Sequence, residues 1–188
     1  RYYRSLVLHT GRHLSHLPGR RFTADVPLFP PRERFLRYLT DYAAEFGLPI
    51  RERTRVHSAG RAADGWKLAT TGGDFAARAV IVATGIASNP HRPALPGEAE
   101  FGGRILHSAE YSNPEPFAGQ RVLVIGVGNS GGEIAAELGA AGVDTAVSVR
   151  SGAHLMPLRI FGVPAQYWAA GLALLPAAVA NGLAAGMG

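Results

Sequence analysis

The 188-residue sequence contains no cysteine, and Lys67 is its only lysine. Without cysteine the chain can form neither a disulfide framework nor a thiolate metal site, and it lacks the redox-active CxxC of flavin disulfide reductases. The net charge of +5 comes almost entirely from arginines, which are scattered along the chain. The sequence therefore indicates an affinity for phosphate-bearing ligands, but it offers no concentrated basic surface for nucleic acid.

Long apolar runs are also missing. The segment 160–188 carries no charged residue, but Pro164 and Pro176 interrupt it. They leave no run of about 20 apolar residues that could span a bilayer. Buried or interfacial helices are favoured there, and no membrane partner is expected. No signal-peptide pattern is present, which predicts a cytoplasmic protein. The abundance of arginine, alanine and glycine is typical of a GC-rich bacterial genome.

A glycine-rich turn is the most informative feature that is present. Residues 121–135 have the pattern of a buried strand, a glycine turn and the start of a helix. In the GxGxxG pattern, Gly126 permits the tight turn, Gly128 lets a pyrophosphate approach the backbone, and Gly131 lets the helix pack on the strand. The free N–H groups of the helix can then bind the phosphates. The strand–turn–helix context predicts a dinucleotide site rather than a chance glycine turn.

The residues after this turn bear on the choice of dinucleotide. A helix over 130–141 and a strand over 145–149 are predicted to complete a βαβ unit. NAD sites usually end this strand with an acidic residue that binds the ribose 2′-hydroxyl, whereas NADP sites place a cation there. Here Arg150 and Ser151 follow the strand, and Asp144 lies at its start. NADPH is favoured over NADH, the alternative being that Arg150 is an ordinary surface arginine.

The first half of the chain is predicted to contain one helix and several short strands, after a loop-rich stretch over 1–30. The helix is expected over 32–46, and the strands over 53–58, 65–71, 75–77 and 79–83. Three histidines with helical spacing precede these elements: His9, His13 and His16. Because Gly11 weakens a helix there and no acidic residue is near, we expect no metal site. Surface positions are predicted for Arg12, Arg20 and Arg21, one of which could meet a cofactor phosphate in the whole protein.

Three patterns in fixed order carry a family resemblance. Ala83-Thr84-Gly85 follows an apolar strand, residues 101–111 match F-x-G-x-x-x-H-x-x-x-Y, and the GxGxxG turn comes after both. This order resembles the class B flavin-dependent monooxygenases, which include flavin-containing monooxygenases, their plant YUCCA-like branch and Baeyer–Villiger enzymes. A tyrosine at the motif's end favours the flavin-containing monooxygenase branch. The motif residues are Phe101, Gly103, His107 and Tyr111.

The resemblance implies an α/β fold of the Rossmann type, from a flavoprotein with two dinucleotide-binding domains that is incomplete at both ends. Residues 1–97 would be a partial FAD-binding domain without its N-terminal GxGxxG unit, and 98–120 an interdomain motif segment. Residues 121–188 would be the NADP-binding Rossmann unit and the start of a helical segment. The chain is therefore expected to be an internal fragment that is not active alone.

The implied function is an FAD- and NADPH-dependent monooxygenase. Such an enzyme transfers one oxygen atom from O₂, through a flavin hydroperoxide, to a nucleophilic nitrogen or sulfur compound or to a carbonyl compound. The cofactors would be FAD and NADP(H), and the partners O₂ and a small-molecule substrate. Two alternatives remain open: a pyridine-nucleotide oxidoreductase with FAD but without oxygen insertion, and a non-catalytic NADP-binding fragment.

The resemblance also suggests roles for single residues. His107 is expected to organise the linker between the two domains rather than to transfer a proton, and Phe101 and Tyr111 to pack. Asn129 and Ser130 would donate to the NADP pyrophosphate, cap the helix, or do both. The remaining cofactor contacts are predicted on the FAD side, with a plain strand or turn as the alternative at each: Thr84, Gly85 and Val56.

Overall fold

The computed structural model divides into two compact units. The smaller is Leu39–Phe101, and the larger joins Arg1–Tyr38 to Gly102–Gly188. The first helix, α1 (Arg32–Glu45), begins in the larger unit and ends in the smaller one, close to the predicted bounds. The boundaries predicted at 97 and 120 concern which cofactor each segment binds, and they stay predictions. The structure describes residues 3–85, 89–152, 156–177 and 179.

The smaller unit contains an antiparallel meander. Its strands are β1 (Val56–Ala62), β2 (Gly65–Thr70) and β3 (Gly73–Ala77), and β2 lies between the other two. Two tight connections join the strands, because Asp64-Gly65 and Gly72-Gly73 supply the turn residues.

Two predicted strands have different bounds, and another is absent. The first ends at Ala62 rather than at residue 58, and the strand predicted over 75–77 begins at Gly73. The first strand begins at Val56 rather than at residue 53, because Arg53 has a φ of 53° and its left-handed conformation cannot continue a strand. Residues 79–83 form no strand, since they pair with no described strand. Ile81 and Val82 are 90% and 80% exposed. A parallel strand needs a neighbour on which to form its hydrogen bonds, and the described chain provides none.

The larger unit contains the predicted βαβ element. Strand β4 (Arg121–Ile125) leads through the glycine turn into α2 (Asn129–Ala140), which returns to β5 (Asp144–Ser148). The two strands are parallel, with Ile125 opposite Ser148. The crossover helix is what a parallel pair requires, and it agrees with the βαβ unit that the apolar strand and the glycine turn predict.

A small core forms where α2 covers one face of the parallel pair. Its buried side chains are Tyr3, Tyr111, Ile134, Leu138 and Val143. Val122 and Val124 of β4 pack against this cluster, whereas Leu123 and Ile125 on the opposite face are 60% and 57% exposed. Among the described residues the strand is therefore covered on one face, not on the two faces that its apolar run predicts.

The segment after Arg150 returns to the N-terminal loop. It forms a short hairpin, β6 (Arg159–Ile160) with β7 (Val163–Pro164), followed by α3 (Ala165–Leu172). Gln166 of α3 accepts a hydrogen bond from the Gly11 backbone N–H at 3.2 Å and donates one to the His9 carbonyl. Among the residues described, no helix is both long and apolar enough to span a bilayer.

Candidate functional site

The glycine turn after β4 has the backbone geometry of a tight reversal. Gly126 has a φ of 94°, a backbone conformation that residues with a Cβ rarely adopt. Its N–H donates to the Ser148 carbonyl at 2.9 Å, so the first residue of the turn is hydrogen-bonded to the last residue of β5. The predicted role of Gly126 in the turn is consistent with this geometry.

Close packing of α2 on β4 depends on Gly131. A Cβ at this position would lie 2.1 Å from the Gly126 carbonyl oxygen and 3.6 Å from the Val124 side chain. The first distance is far below van der Waals contact, so no residue with a side chain fits without a shift of the backbone.

Gly128 differs from Gly131 because a Cβ there would meet no described atom within 4 Å. Gly128 is the N-cap of α2, and no side chain of the described chain caps this helix. The capping role considered for Asn129 and Ser130 is therefore wrong, since both follow the cap and are exposed. Open space beside uncapped helical N–H groups fits a pyrophosphate.

Arg150 and Ser151 lie at the same edge of the sheet as the glycine turn. Because β4 and β5 are parallel and Ile125 faces Ser148, both strands reach this edge at their carboxyl ends. Both residues are exposed, and Arg150 forms no ion pair with the described residues. Asp144 lies at the opposite end of β5, beside Arg121. The edge thus offers a cation and no carboxylate from either strand.

His107 caps a 3-10 helix in the motif segment. Its Nδ1 accepts from the Ala109 N–H at 3.1 Å, and its own backbone N–H donates to Glu110 Oε2 at 2.8 Å. These reciprocal bonds form a capping box around Ser108–Glu110. These bonds order the backbone of the motif segment locally, and the role of His107 in the linker between two domains stays a prediction.

Tyr111 and Tyr3 anchor two segments to α2. Tyr111 donates to Glu137 Oε2 at 2.8 Å, and Tyr3 donates to Glu133, one helical turn earlier. The other carboxylate oxygen of Glu133 contacts His9 Nε2. Burial, and then the hydrogen bond to its glutamate, raise the pKa of each tyrosine above its ordinary value. Tyr3, Glu133 and Glu137 were missed from sequence, although the two glutamates have the i, i+4 spacing of one helix face.

The other two motif residues have little contact with the described chain. Phe101, the last residue of the smaller unit, is 59% exposed, so the packing predicted for it is wrong within the described chain. Gly103 lies in an exposed bend and outside the left-handed region. Any backbone role of Gly103 therefore concerns the bend and not a positive φ.

The residues predicted on the FAD side all belong to the smaller unit. Val56 opens β1 opposite Thr70 and is exposed. Thr84 and Gly85 lie in an exposed, irregular segment, where Gly85 has a φ of 75°. That left-handed conformation favours glycine, but the strand expected before it is absent. The structure thus brings the glycine turn and Arg150 together in one unit and holds Val56, Thr84 and Gly85 in the other.

The three N-terminal histidines have separate partners. His9 pairs with Glu133, His13 Nδ1 lies 3.0 Å from the Tyr167 hydroxyl, and His16 Nδ1 lies 3.2 Å from the Leu17 carbonyl. They lie on turns and irregular backbone rather than on a helix. The described part of the chain contains no group of three or more residues arranged to hold a metal ion.

Comparison with known proteins connects this geometry to a family. A family model described as pyridine nucleotide-disulphide oxidoreductase matches residues 19–155. An indole-3-pyruvate monooxygenase, YUCCA1 of Oryza sativa subsp. japonica, is 36% identical over 166 residues. A CzcO-like uncharacterized oxidoreductase of Geobacillus kaustophilus is 36% identical over 173 residues.

A solved structure agrees with the sequence relatives. The flavin-containing monooxygenase from Stenotrophomonas maltophilia has a TM-score of 0.79 and 32% identity, over 90% of this chain and 50% of that one. The match to the rice protein covers 87% of this chain and 41% of the relative, and the match to the Geobacillus protein covers 92% and 49%. The chain thus spans half the length of these proteins or less.

Proposed function

The chain belongs to the pyridine nucleotide-disulphide oxidoreductase family and, within it, to the class B flavin-dependent monooxygenases, and on that premise we propose that it supplies the NADP-binding part of such an enzyme. Membership of this family implies FAD and a pyridine nucleotide as cofactors. The whole protein would transfer one atom of O₂ to a small molecule.

The observation that carries the proposal is the free space at the N-terminus of α2. Gly128 leaves room for a pyrophosphate where a Cβ would meet no described atom, and the helix has no side-chain cap. The first N–H groups of a helix carry a partial positive charge and lack intrahelical acceptors. Pyrophosphate oxygens would therefore accept from the N–H groups of Asn129 and Ser130, and their exposed side chains would add donors.

The choice of NADPH over NADH rests on Arg150. A guanidinium can form two parallel hydrogen bonds to a phosphate, and the described strands bring no carboxylate to this edge to compete with it. Ser151 follows as a further donor. An NAD site would instead require a carboxylate here to accept from the ribose 2′-hydroxyl.

In the whole enzyme, bound FAD would supply the reaction with oxygen once NADPH has reduced it. The residues of this chain would bind and orient the nicotinamide cofactor. His107 and Tyr111 would hold the motif segment in one conformation against α2. The rice relative is named for indole-3-pyruvate, a carbonyl compound, which supports including carbonyl compounds in the substrate class beside nucleophilic nitrogen and sulfur compounds.

Calorimetric titration with NADPH and NADH tests the cofactor assignment. The chain should bind NADPH at least about tenfold more tightly than NADH, a difference of about 1.4 kcal/mol. Arg150→Ala should weaken NADPH binding and leave NADH binding unchanged. Arg104→Ala, at another exposed position of the same unit, is the matched control. Equal losses in both variants, or a preference for NADH, would reject the role of Arg150.

A measurement on the full-length protein separates the monooxygenase from a reductase. With ¹⁸O₂ and a panel of sulfides, amines and ketones, a monooxygenase consumes NADPH and places one labelled atom in the product. A reductase consumes NADPH and yields no labelled organic product. The second result would reject oxygen transfer while leaving the NADPH site intact.

A further inference from the structure

A cationic cavity lies in the N-terminal loop of the larger unit, apart from the residues of the glycine turn. Its volume is ≈ 290 Å³. No carboxylate lines it, and the chain has no aspartate or glutamate before Asp25. The lining residues are Arg12, His13, His16, Arg21 and Phe22.

The charge of Arg12 is fixed in position by the backbone. Its Nη1 donates to the carbonyl of Ala24 at 2.8 Å and to that of Val26, and its Nε donates to His13 Nε2 at 3.3 Å. Its Nη2 group has no partner among the described residues. Because the guanidinium is already ordered, a ligand that binds Nη2 loses little side-chain entropy.

Contacts also fix the positions of His13 and Phe22, which line the cavity. Because Arg12 donates to Nε2 of His13, the neutral His13 ring carries its proton on Nδ1 and donates to the Tyr167 hydroxyl at 3.0 Å. The Phe22 ring stacks on Tyr38 with 4.1 Å between centroids. An ordered aromatic surface therefore lies beside the ordered guanidinium of Arg12.

The positive charge of the cavity is not neutralised from within the loop. Asp25, the first acidic residue of the chain, forms an ion pair with Arg34. Hydrogen bonds from Thr23 and Arg34 hold the pKa of Asp25 below its usual value, so it stays ionised and paired there. Arg21 is exposed and has no partner among the described residues. Two full positive charges thus border the cavity.

We propose that this cavity binds the oxyanion group of a small ligand, with the planar apolar part of the ligand against Phe22. Arg12 would donate to the oxyanion from Nη2, and Arg21 would provide the second charge. The chemistry suits a carboxylate or a phosphate. The lining residues are separate in sequence from the glycine turn, so a failure to bind NADP at that turn would not reject this proposal.

Titration of the chain with three probes tests the proposal. Phenylacetate carries a carboxylate on a planar ring, phenylacetamide is its neutral counterpart, and inorganic phosphate carries the oxyanion alone. Phenylacetate should bind at least about tenfold more tightly than phenylacetamide. Displacement of phenylacetate by phosphate at lower concentration would assign the site to a phosphate group, and weak displacement would assign it to an organic acid.

Arginine variants test whether phenylacetate binds in this cavity. Arg21→Gln should weaken phenylacetate binding at least about fivefold, whereas Arg104→Gln, at an exposed position outside the cavity, should not. Because Arg21 bonds to no described residue, its replacement should leave the thermal unfolding temperature unchanged, whereas Arg12→Gln also removes backbone contacts. NADPH binding should be the same in both Arg21→Gln and Arg104→Gln. Equal binding of phenylacetamide and phenylacetate, or equal losses in the two variants, would overturn the proposal.

Discussion

At the scale of single residues, the glycines of the turn have different physical roles. Gly126 supplies a positive φ, Gly131 removes a steric clash, and Gly128 leaves space for a ligand. The shared pattern predicted the geometry at Gly126 and Gly131 from sequence, because each glycine has a fixed place in a strand–turn–helix connection. Ligand contact at Gly128 stays a prediction. Their roles can be separated experimentally, since a Cβ at Gly131 would clash with Gly126, whereas Gly128 is where the proposed pyrophosphate would lie.

Replacement of Gly131 should destabilise the fold. The Cβ of Gly131→Ala would lie 2.1 Å from the Gly126 carbonyl oxygen, so α2 must move from β4. We expect the free energy of unfolding in urea to fall by about 1–3 kcal/mol. Gly132→Ala, where a Cβ meets no described atom within 4 Å, should be neutral or stabilising by up to about 1 kcal/mol. Similar values for the two variants would show that the close contact is absent.

Because Tyr3 and Tyr111 anchor two segments to α2, we expect the free energy of unfolding to fall at high pH. Burial and the glutamate partners raise the pKa of Tyr3 and Tyr111 above the ordinary value near 10. Their stabilising effect is complete below the pKa of the unfolded state and is lost as the pH rises above it, because the unfolded chain then releases these protons more easily. Chemical denaturation from pH 8 to 11 should show this decline.

A phenylalanine variant provides the control for the pH effect. Tyr111→Phe keeps the ring that packs on Phe117 but removes the bond to Glu137. It should reduce the slope of stability against pH above about pH 10. An unchanged slope in both Tyr111→Phe and Tyr3→Phe would contradict the assignment of the anchors.

At the scale of elements, the βαβ unit is stabilised from one side. Helix α2 buries Leu138 to 1% exposure, while Leu123 on the opposite face of β4 remains 60% exposed. Burial of a leucine side chain contributes roughly 2 kcal/mol, and truncation adds the cost of the cavity that remains. The sequence could not distinguish these faces, because β4 is apolar at Val122, Leu123, Val124 and Ile125 alike.

Truncation of one leucine on each face tests this asymmetry. Leu138→Ala should lower the free energy of unfolding by about 2–5 kcal/mol. Leu123→Ala removes the same atoms from an exposed position and should cost less than about 1 kcal/mol. Equal losses, measured by urea denaturation, would mean that the exposed face of β4 is covered in solution.

Backbone exchange tests the absence of a strand over 79–83. The amides of this segment bond to no described residue, whereas Leu68 lies in the central strand β2, opposite Ala59 and Phe75. Hydrogen exchange should therefore be at least about a hundredfold faster at Ile81 and Val82 than at Leu68. Comparable protection would show that the segment pairs with another strand.

At the scale of the whole molecule, local patterns were predictable and distant contacts were not. Helix α1, the hairpin turns and the βαβ unit follow from periodicity and turn residues within short windows. Tyr3 bonds to Glu133 across 130 positions, and Gln166 bonds to His9 across 157. Such pairs depend on how segments fold together, which a pattern in one segment does not encode. The prediction of a strand over 79–83 is wrong for the same reason, since a strand depends on a partner strand.

NADPH titration of the chain beside Gly128→Ala and Gly139→Ala tests the proposed nucleotide site most directly. Both substitutions add one methyl group to α2 or its cap, at positions where a Cβ meets no described atom within 4 Å. Only Gly128 lies where the pyrophosphate would bind. Gly128→Ala should therefore weaken NADPH binding at least about tenfold, while Gly139→Ala binds as the unaltered chain does. Equal binding by all three folded proteins, or binding by none, would contradict the assignment.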